Sequence, residues 1–248
     1  MGERQHGSSV NESDQQGNTV LHWATKRNAK DLIAYLLSHG ANVNATNKDG
    51  QTSLMQALAL KPFNMSCIEL LLAAGTDVNV TNKNGQTSLM VALKAEPQNV
   101  HCIERLLAAG ANVNAADSYG DTPLMDLLRR RLHDEIITPL AEILLKHGTD
   151  INIANHVGNT ALMLAVINKS TKQMTLLLDN NADVNIANQN GDTALILAVK
   201  NQSTMQVRLL LEQNVDVNIT NKTNKRALDI AVNLGNSKII EVLRAKKL

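Results

Sequence analysis

A glycine two residues ahead of a threonine recurs at Gly17, Gly50, Gly85, Gly120, Gly158 and Gly191, with successive spacings of 33, 35, 35, 38 and 33 residues. The same register reaches Asn224 after another 33. Self-similarity at this period identifies a solenoid, in which each unit buries its apolar face only against its neighbours. That constraint overrides the length prior for 248 residues and favours one continuous array. It also leaves little chain for a catalytic pocket.

The apolar fraction of 44% is enough for a continuous core, and the formal net charge of +1 gives no global attraction to nucleic acid, membranes or acidic partners. Aromatic residues make up only 2%, which argues against base-stacking platforms and hence against nucleic-acid binding. No apolar run is long enough to span a bilayer, and the first 13 residues lack the order of a signal peptide. The expectation is a cytoplasmic monomer with no membrane insertion. Cys67 and Cys102 stand 35 residues apart in equivalent apolar stretches, too far apart across stacked helices for a disulfide, and read as buried thiols.

The stretch from Asn188 to Asp216 shows one unit at its clearest. Thr193 is placed to cap a short helix carrying Leu195, Ile196, Ala198 and Val199. After the polar stretch from Lys200 to Thr204, apolar spacing from Met205 to Leu211 predicts a second, antiparallel helix. Asn214 stands where earlier copies carry Gly40, Gly75, Gly110 or Gly148, so it is expected to end that helix in a left-handed conformation. Asp216-Val217-Asn218-Ile219 then leads to the next turn as a hairpin-like finger.

These features, with Thr122-Pro123-Leu124-Met125 and Thr19-Val20-Leu21-His22 as helix starts, resemble ankyrin repeats over residues 14 to 246. The resemblance implies an all-α ankyrin-repeat solenoid of helix-turn-helix units with hairpin-like fingers, about seven repeats starting near 14, 47, 82, 117, 155, 188 and 221. Residues 1–13 align with the tail of a repeat whose helices are missing, which suggests a degenerate first repeat or a fragment. In the seventh copy Asn224 and Arg226 replace the glycine and threonine, and the polar last helix suits a terminal cap. The family histidine corresponds to His22, with a structural role, and Trp23 is assigned to covering the incomplete first end.

The resemblance further implies a partner docked on a concave face of finger tips and first helices. Nine residues past each turn glycine lie Lys26, Ala59, Lys94, Arg129, Ile167, Lys200 and Asn233. With Arg27, Arg130 and Arg131 the basic members form a broken track suited to an acidic or phosphorylated segment, because arginine forks pair with planar anions. The competing reading is that these cations only complement helix C-termini. Repeats two to four carry extra residues between their helices, and Phe63 and Tyr119 are candidate aromatic anchors.

No phosphate loop, paired-cysteine zinc pattern or nucleophile triad is present, and His133-Asp134-Glu135 reads as a solvated loop rather than a metal site. The chain is therefore read as non-enzymatic, needing no cofactor and no metal. The family resemblance implies a second role as substrate, since finger asparagines of such repeats can be hydroxylated when a leucine lies eight residues and an acid two residues earlier. Asn79, Asn152, Asn185 and Asn218 meet that pattern.

The functional expectation is a protein-binding scaffold. Its Asn- and Lys-rich fingers resemble ankyrin proteins of intracellular bacteria, which implies an effector delivered into a host cytoplasm without a cleavable signal. The alternative is a targeting or regulatory fragment of a larger enzyme.

Overall fold

A computed structural model describes residues 9–62, 64–95, 100–130 and 133–246. They form two compact units, residues 1–118 and 119–248. The first contains α1 (Val20–Lys26), α2 (Lys30–Ser38), α3 (Ser53–Ala59), α4 (Met65–Ala73), α5 (Ser88–Ala95) and α6 (Val100–Ala108). The second contains α7 (Pro123–Arg129), α8 (Asp134–Lys146), α9 (Ala161–Ile167), α10 (Thr171–Asp179), α11 (Ala194–Lys200), α12 (Thr204–Leu211), α13 (Ala227–Asn233) and α14 (Ser237–Ala245). All regular elements among the described residues are helices; isolated antiparallel bridges join Ser13 to Thr19 and Ala187 to Thr193 at finger bases.

Each repeat begins with a two-turn helix. Thr52 Oγ1 accepts from the Met55 N–H at 3.2 Å, and Thr193 Oγ1 from that of Ile196 at 3.4 Å, which meets one of the backbone donors a helix start leaves open. The inner odd-numbered helices are buried nearly all round: α3 packs between α1 and α5, and α9 between α7 and α11. Leu54, Met55, Leu58, Leu162 and Leu195 are each at most 1% exposed. The even-numbered helices bury one stripe, such as Cys67, Ile68 and Leu71 on α4, and leave the rest to solvent. No disulfide joins the buried Cys67 and Cys102, and burial raises the Cys67 thiol above the ordinary cysteine range against the opposing charge of Lys30.

The fingers stack through a backbone ladder. Within a finger the N–H three residues before the turn position reaches back across it, as in Asn82 to the Gln86 carbonyl at 3.0 Å and Asn188 to the Asp192 carbonyl at 3.0 Å. Between fingers, Ser118 N donates to Asn84 O at 2.9 Å in the first unit and Gln189 N to Val157 O at 3.0 Å in the second. Two constraints make glycine necessary at these tips. Gly85 has φ +71°, and an added Cβ would lie 2.7 Å from the Ser118 nitrogen. Asn224, at φ 56°, ends the described series of fingers, which removes the second constraint and explains why a side chain stands there.

Two local expectations need correction. Asn214 is absent from the left-handed residues, whereas Asn181, one repeat earlier, adopts φ 62°. At the end of α12 the Lys246 ammonium bonds the Leu211 and Gln213 carbonyls, taking over acceptors that a left-handed cap otherwise serves. Asp134 and Glu135 are also not loop residues: they form the first turn of α8, which runs to 13 residues. The long fourth repeat thus extends its second helix as well as its connection.

Candidate functional site

Finger tips and first-helix ends carry most of the residues singled out from sequence. In the first unit Lys26 and Arg27 are exposed at the end of α1, with Lys26 Nζ 5.2 Å above the Trp23 ring. The Trp23 indole N–H donates to Asp14 at 3.0 Å and its ring is 42% exposed. It lines a groove with Lys26, Gln51 and Gln56. Lys94 is exposed at the end of α5. Phe63 and Arg131 lie outside the described residues.

In the second unit the basic positions divide in a way the sequence pattern concealed. Arg129 Nη2 stands 2.6 Å from Asp121 Oδ2, and Lys200 Nζ 2.5 Å from Asp192 Oδ2. Both carboxylates are 2% exposed. Each also accepts from the next finger: Asn155 Nδ2 donates to Asp121 at 2.7 Å and Asn221 Nδ2 to Asp192 at 3.1 Å. A buried carboxylate requires a paired cation and further donors. Arg129 and Lys200 are therefore built into their repeats, each paired with a buried carboxylate. The signal was readable in retrospect: of the four repeats with a basic residue nine past the turn glycine, only those of Arg129 and Lys200 carry Asp directly after that glycine.

Tyr119 is 70% exposed at a finger tip, and Val157, at the equivalent tip of the following finger, is 53% exposed. The His156 N–H donates to the Tyr119 carbonyl at 3.0 Å and fixes the two tips side by side. Other fingers carry polar Gln16, Asp49, Asn84, Asn190 and Thr223 at this position. Ile167, at the end of α9, is 42% exposed. The apolar tips were missed at Val157 because a lone exposed valine carries no signal until it stands beside Tyr119.

The finger asparagines act as clamps between repeats. Asn79 Nδ2 donates to Gly110 O at 2.9 Å, and its Oδ1 accepts from Asn112 N at 2.7 Å. Asn185 does the same with Asn214 O and Asp216 N at 3.1 and 2.8 Å. Asn152 Oδ1 accepts from Asp183 N at 2.8 Å. Asn218, in the last described finger, is exposed beside Arg226, Leu243 and Arg244.

His22 is structural, as expected. The Thr19 N–H donates to Nδ1 at 3.1 Å, which leaves the proton on Nε2 to reach the Gln51 carbonyl of the next repeat at 3.0 Å. Burial pushes this imidazole below the usual histidine range, against the Gln51 bond and the Asp14 charge. At the other end, Arg226 replaces the capping threonine, and its N–H and guanidinium both bind Asp229. The hydrogen bonds and charge of Asp229 raise the arginine, and those of Arg226 lower the carboxyl.

Among the described residues no cluster of His, Cys, Asp or Glu has the arrangement of a metal site, and no helix is long and apolar enough to cross a membrane. Stacked helix pairs joined by finger ladders within each unit define a repeat protein. A family model of ankyrin repeats, in three copies, matches residues 3–65, 59–155 and 162–247. The chain belongs to the ankyrin-repeat family.

Its structure is similar to the crystal structure of the ankyrin repeat domain of Bcl-3, a member of the IkappaB protein family, with a TM-score of 0.79 and 26% identity over 93% of this chain and 100% of that one. Shorter sequence matches reach BCL-6 corepressor-like protein 1 of Mus musculus, 45% identical over 47 residues, and putative ankyrin repeat protein FPV031 of fowlpox virus (strain NVSL), 50% identical over 42 residues. Those matches take in 19% and 17% of this chain and 3% and 12% of the respective relatives.

Proposed function

We propose that the chain is a non-enzymatic scaffold that binds a protein partner across finger tips and first-helix ends, with Tyr119 and Val157 as apolar anchors. The observation that carries this reading is their adjacent exposure at positions that are polar in the other fingers. The backbone ladder holds the tips before a partner arrives, which reduces the ordering cost of association. In the second unit Arg130 adds positive charge, and in the first Lys26, Arg27 and Lys94 do; both favour a partner with an acidic or phosphorylated segment, while Arg129 and Lys200 chiefly hold the surface in place. A cytoplasmic monomer, including one acting as an effector inside a host cell, fits this reading.

The test is retention of protein from a eukaryotic lysate by the native chain and by a Tyr119→Asn, Val157→Asn double variant. Asn84 and Asn190 already occupy those tip positions, so the fold is expected to survive. A protein held by the native chain and lost by the variant supports the assignment; equal retention by both removes it.

A further inference from the structure

Finger asparagines grip the start of the following finger with both ends of the amide. Asn11 Nδ2 donates to the Gly40 carbonyl at 3.1 Å, and its Oδ1 accepts from the Asn42 N–H at 2.7 Å. Asn79 and Asn185 hold Gly110 with Asn112 and Asn214 with Asp216 in the same way. The residue between the two bonds is compact and buried at the later sites, with Ala111 and Val215 each 9% exposed. The residue that gives the N–H is Asn or Asp, and its side chain accepts from the N–H two positions on, as Asp216 does from Asn218 at 2.8 Å. Three clamps within the chain thus define one ligand: a carbonyl, a compact apolar side chain, and the N–H of an Asn or Asp.

Asn218 stands at the same position in the last described finger, and its side-chain amide makes no hydrogen bond among the described residues. It lines a groove of about 180 Å³ with Val217, Leu228, Leu243 and Arg244. Val217 and Leu228 are partly exposed there, whereas Val184 and Leu195, their equivalents one repeat earlier, are 6% and 1% exposed. The floor that a following finger covers elsewhere is therefore accessible. The tip of this finger, in contrast, does not suit another full finger. A Cβ on Gly85 or Gly191 would lie 2.7 or 2.8 Å from the backbone of the next finger, and Asn224 carries a Cβ at that position. A finger stacked in the same register would collide with it, while a single extended strand reaches the amide and the groove without touching the tip.

Charge decides between Asn and Asp. Three residues before the end of each earlier second helix stands a leucine, at Leu37, Leu72, Leu107, Leu145, Leu178 and Leu211; the last pair carries Arg244 instead. Arg244 is exposed and makes no hydrogen bond or ion pair among the described residues. Of the other cations lining the groove, Arg226 is matched by Asp229, and the Lys246 ammonium is bonded to the Leu211 and Gln213 carbonyls. We infer that this groove docks an extended segment of the partner in which a compact apolar residue precedes an aspartate. Its carbonyl and aspartate N–H bind the Asn218 amide, its apolar side chain covers Val217 and Leu228, and Arg244 attracts its carboxylate. Main-chain bonds supply the grip and the groove selects the side chains, as in other modes of strand addition. This assignment rests on the reading of the chain as a protein-binding scaffold and adds a site separate from Tyr119 and Val157.

The test is nuclear magnetic resonance titration of the full ¹⁵N-labelled chain with acetyl-Gly-Ala-Asp-Val-Asn-amide at millimolar concentration. The comparators are the same peptide methylated on the aspartate nitrogen and the peptide with asparagine for aspartate. The first peptide is expected to shift the side-chain amide signals of Asn218. Methylation removes the N–H and is expected to weaken binding about tenfold, the scale of one hydrogen bond. The asparagine peptide is expected to bind severalfold more weakly to the native chain. Arg244→Leu restores the residue of the earlier repeats, so the fold stands, and is expected to lose that preference. Asn218→Leu, close in volume at an exposed position, is expected to bind the methylated and unmethylated peptides alike. Shifts that leave Asn218 untouched, equal affinity of the native chain for the methylated peptide, or an aspartate preference that survives Arg244→Leu would each overturn the assignment. Self-association of the native chain that Asn218→Leu abolishes would also overturn it, giving the groove to a second copy. The Tyr119→Asn, Val157→Asn variant leaves Asn218 and Arg244 in place, so failure at the tips and failure here are read separately.

Discussion

The guanidinium of Arg129 closes on the buried carboxylate of Asp121 at 2.6 Å, within one repeat and across the length of α7. Asn155 of the next finger donates to the same carboxylate, so one buried charge ties helix end, helix start and following repeat together. Lys200 and Asp192 repeat the arrangement with Asn221.

Arg129→Met is accordingly expected to lower stability by about 2 kcal/mol, less than the roughly 3–5 kcal/mol of a fully buried broken pair because the arginine is half exposed. Arg129→Glu should cost more, since it sets a second carboxylate against Asp121. Urea denaturation followed by circular dichroism measures both, and a loss below about 0.5 kcal/mol for Arg129→Glu would show the pair to be dispensable.

Acid should loosen the first repeat through His22. Its folded pKa lies below the ordinary value of 6.5, so the unfolded chain binds the extra proton first and stability falls as pH drops below about 6.5 toward the folded value. Protonating Nδ1 would also confront the Thr19 N–H. A smaller drop in urea midpoint between pH 7.5 and pH 5 in His22→Asn than in the native chain is the expected result; an equal drop assigns the acid sensitivity elsewhere.

Two glycines with similar backbone angles should respond differently to alanine. Gly75 has open space around it, so Gly75→Ala should cost only the left-handed penalty of about 1–2 kcal/mol. Gly85→Ala adds a clash with the Ser118 backbone and is expected to exceed it by at least about 1 kcal/mol. Thermal melts of the two variants give the comparison, and equal losses would mean that the fingers yield freely.

Asparagine hydroxylation is expected to favour Asn218 over Asn79, Asn152 and Asn185, whose amides are bound to the next repeat. Peptide mass mapping after incubation with an asparaginyl hydroxylase locates any added oxygen. Modification of Asn79 before Asn218 would show that the clamps do not protect. Without enzyme, Asn185→Ala should cost about 1–2 kcal/mol for two exposed hydrogen bonds.

The sequence by itself determined the repeat, the helix pairs, the capping threonines and the turn glycines, because each depends on neighbours a few residues away and recurs often enough to be read. Thr193, His22 and Gly85 all do what their local chemistry dictates. Asn214 shows where local reading stops: it is not left-handed, and the carbonyls of Leu211 and Gln213 beside it are bonded by Lys246, 32 positions later in the chain. Whether a lysine or arginine is a free cation or half of a buried pair is equally beyond a list of helix-end charges, since it depends on which carboxylate the fold brings beneath it. Tertiary structure alone placed Val157 beside Tyr119 and left Asn218 without the bonds that Asn185 makes, because packing between repeats, not spacing within one, decides which side chains share an environment.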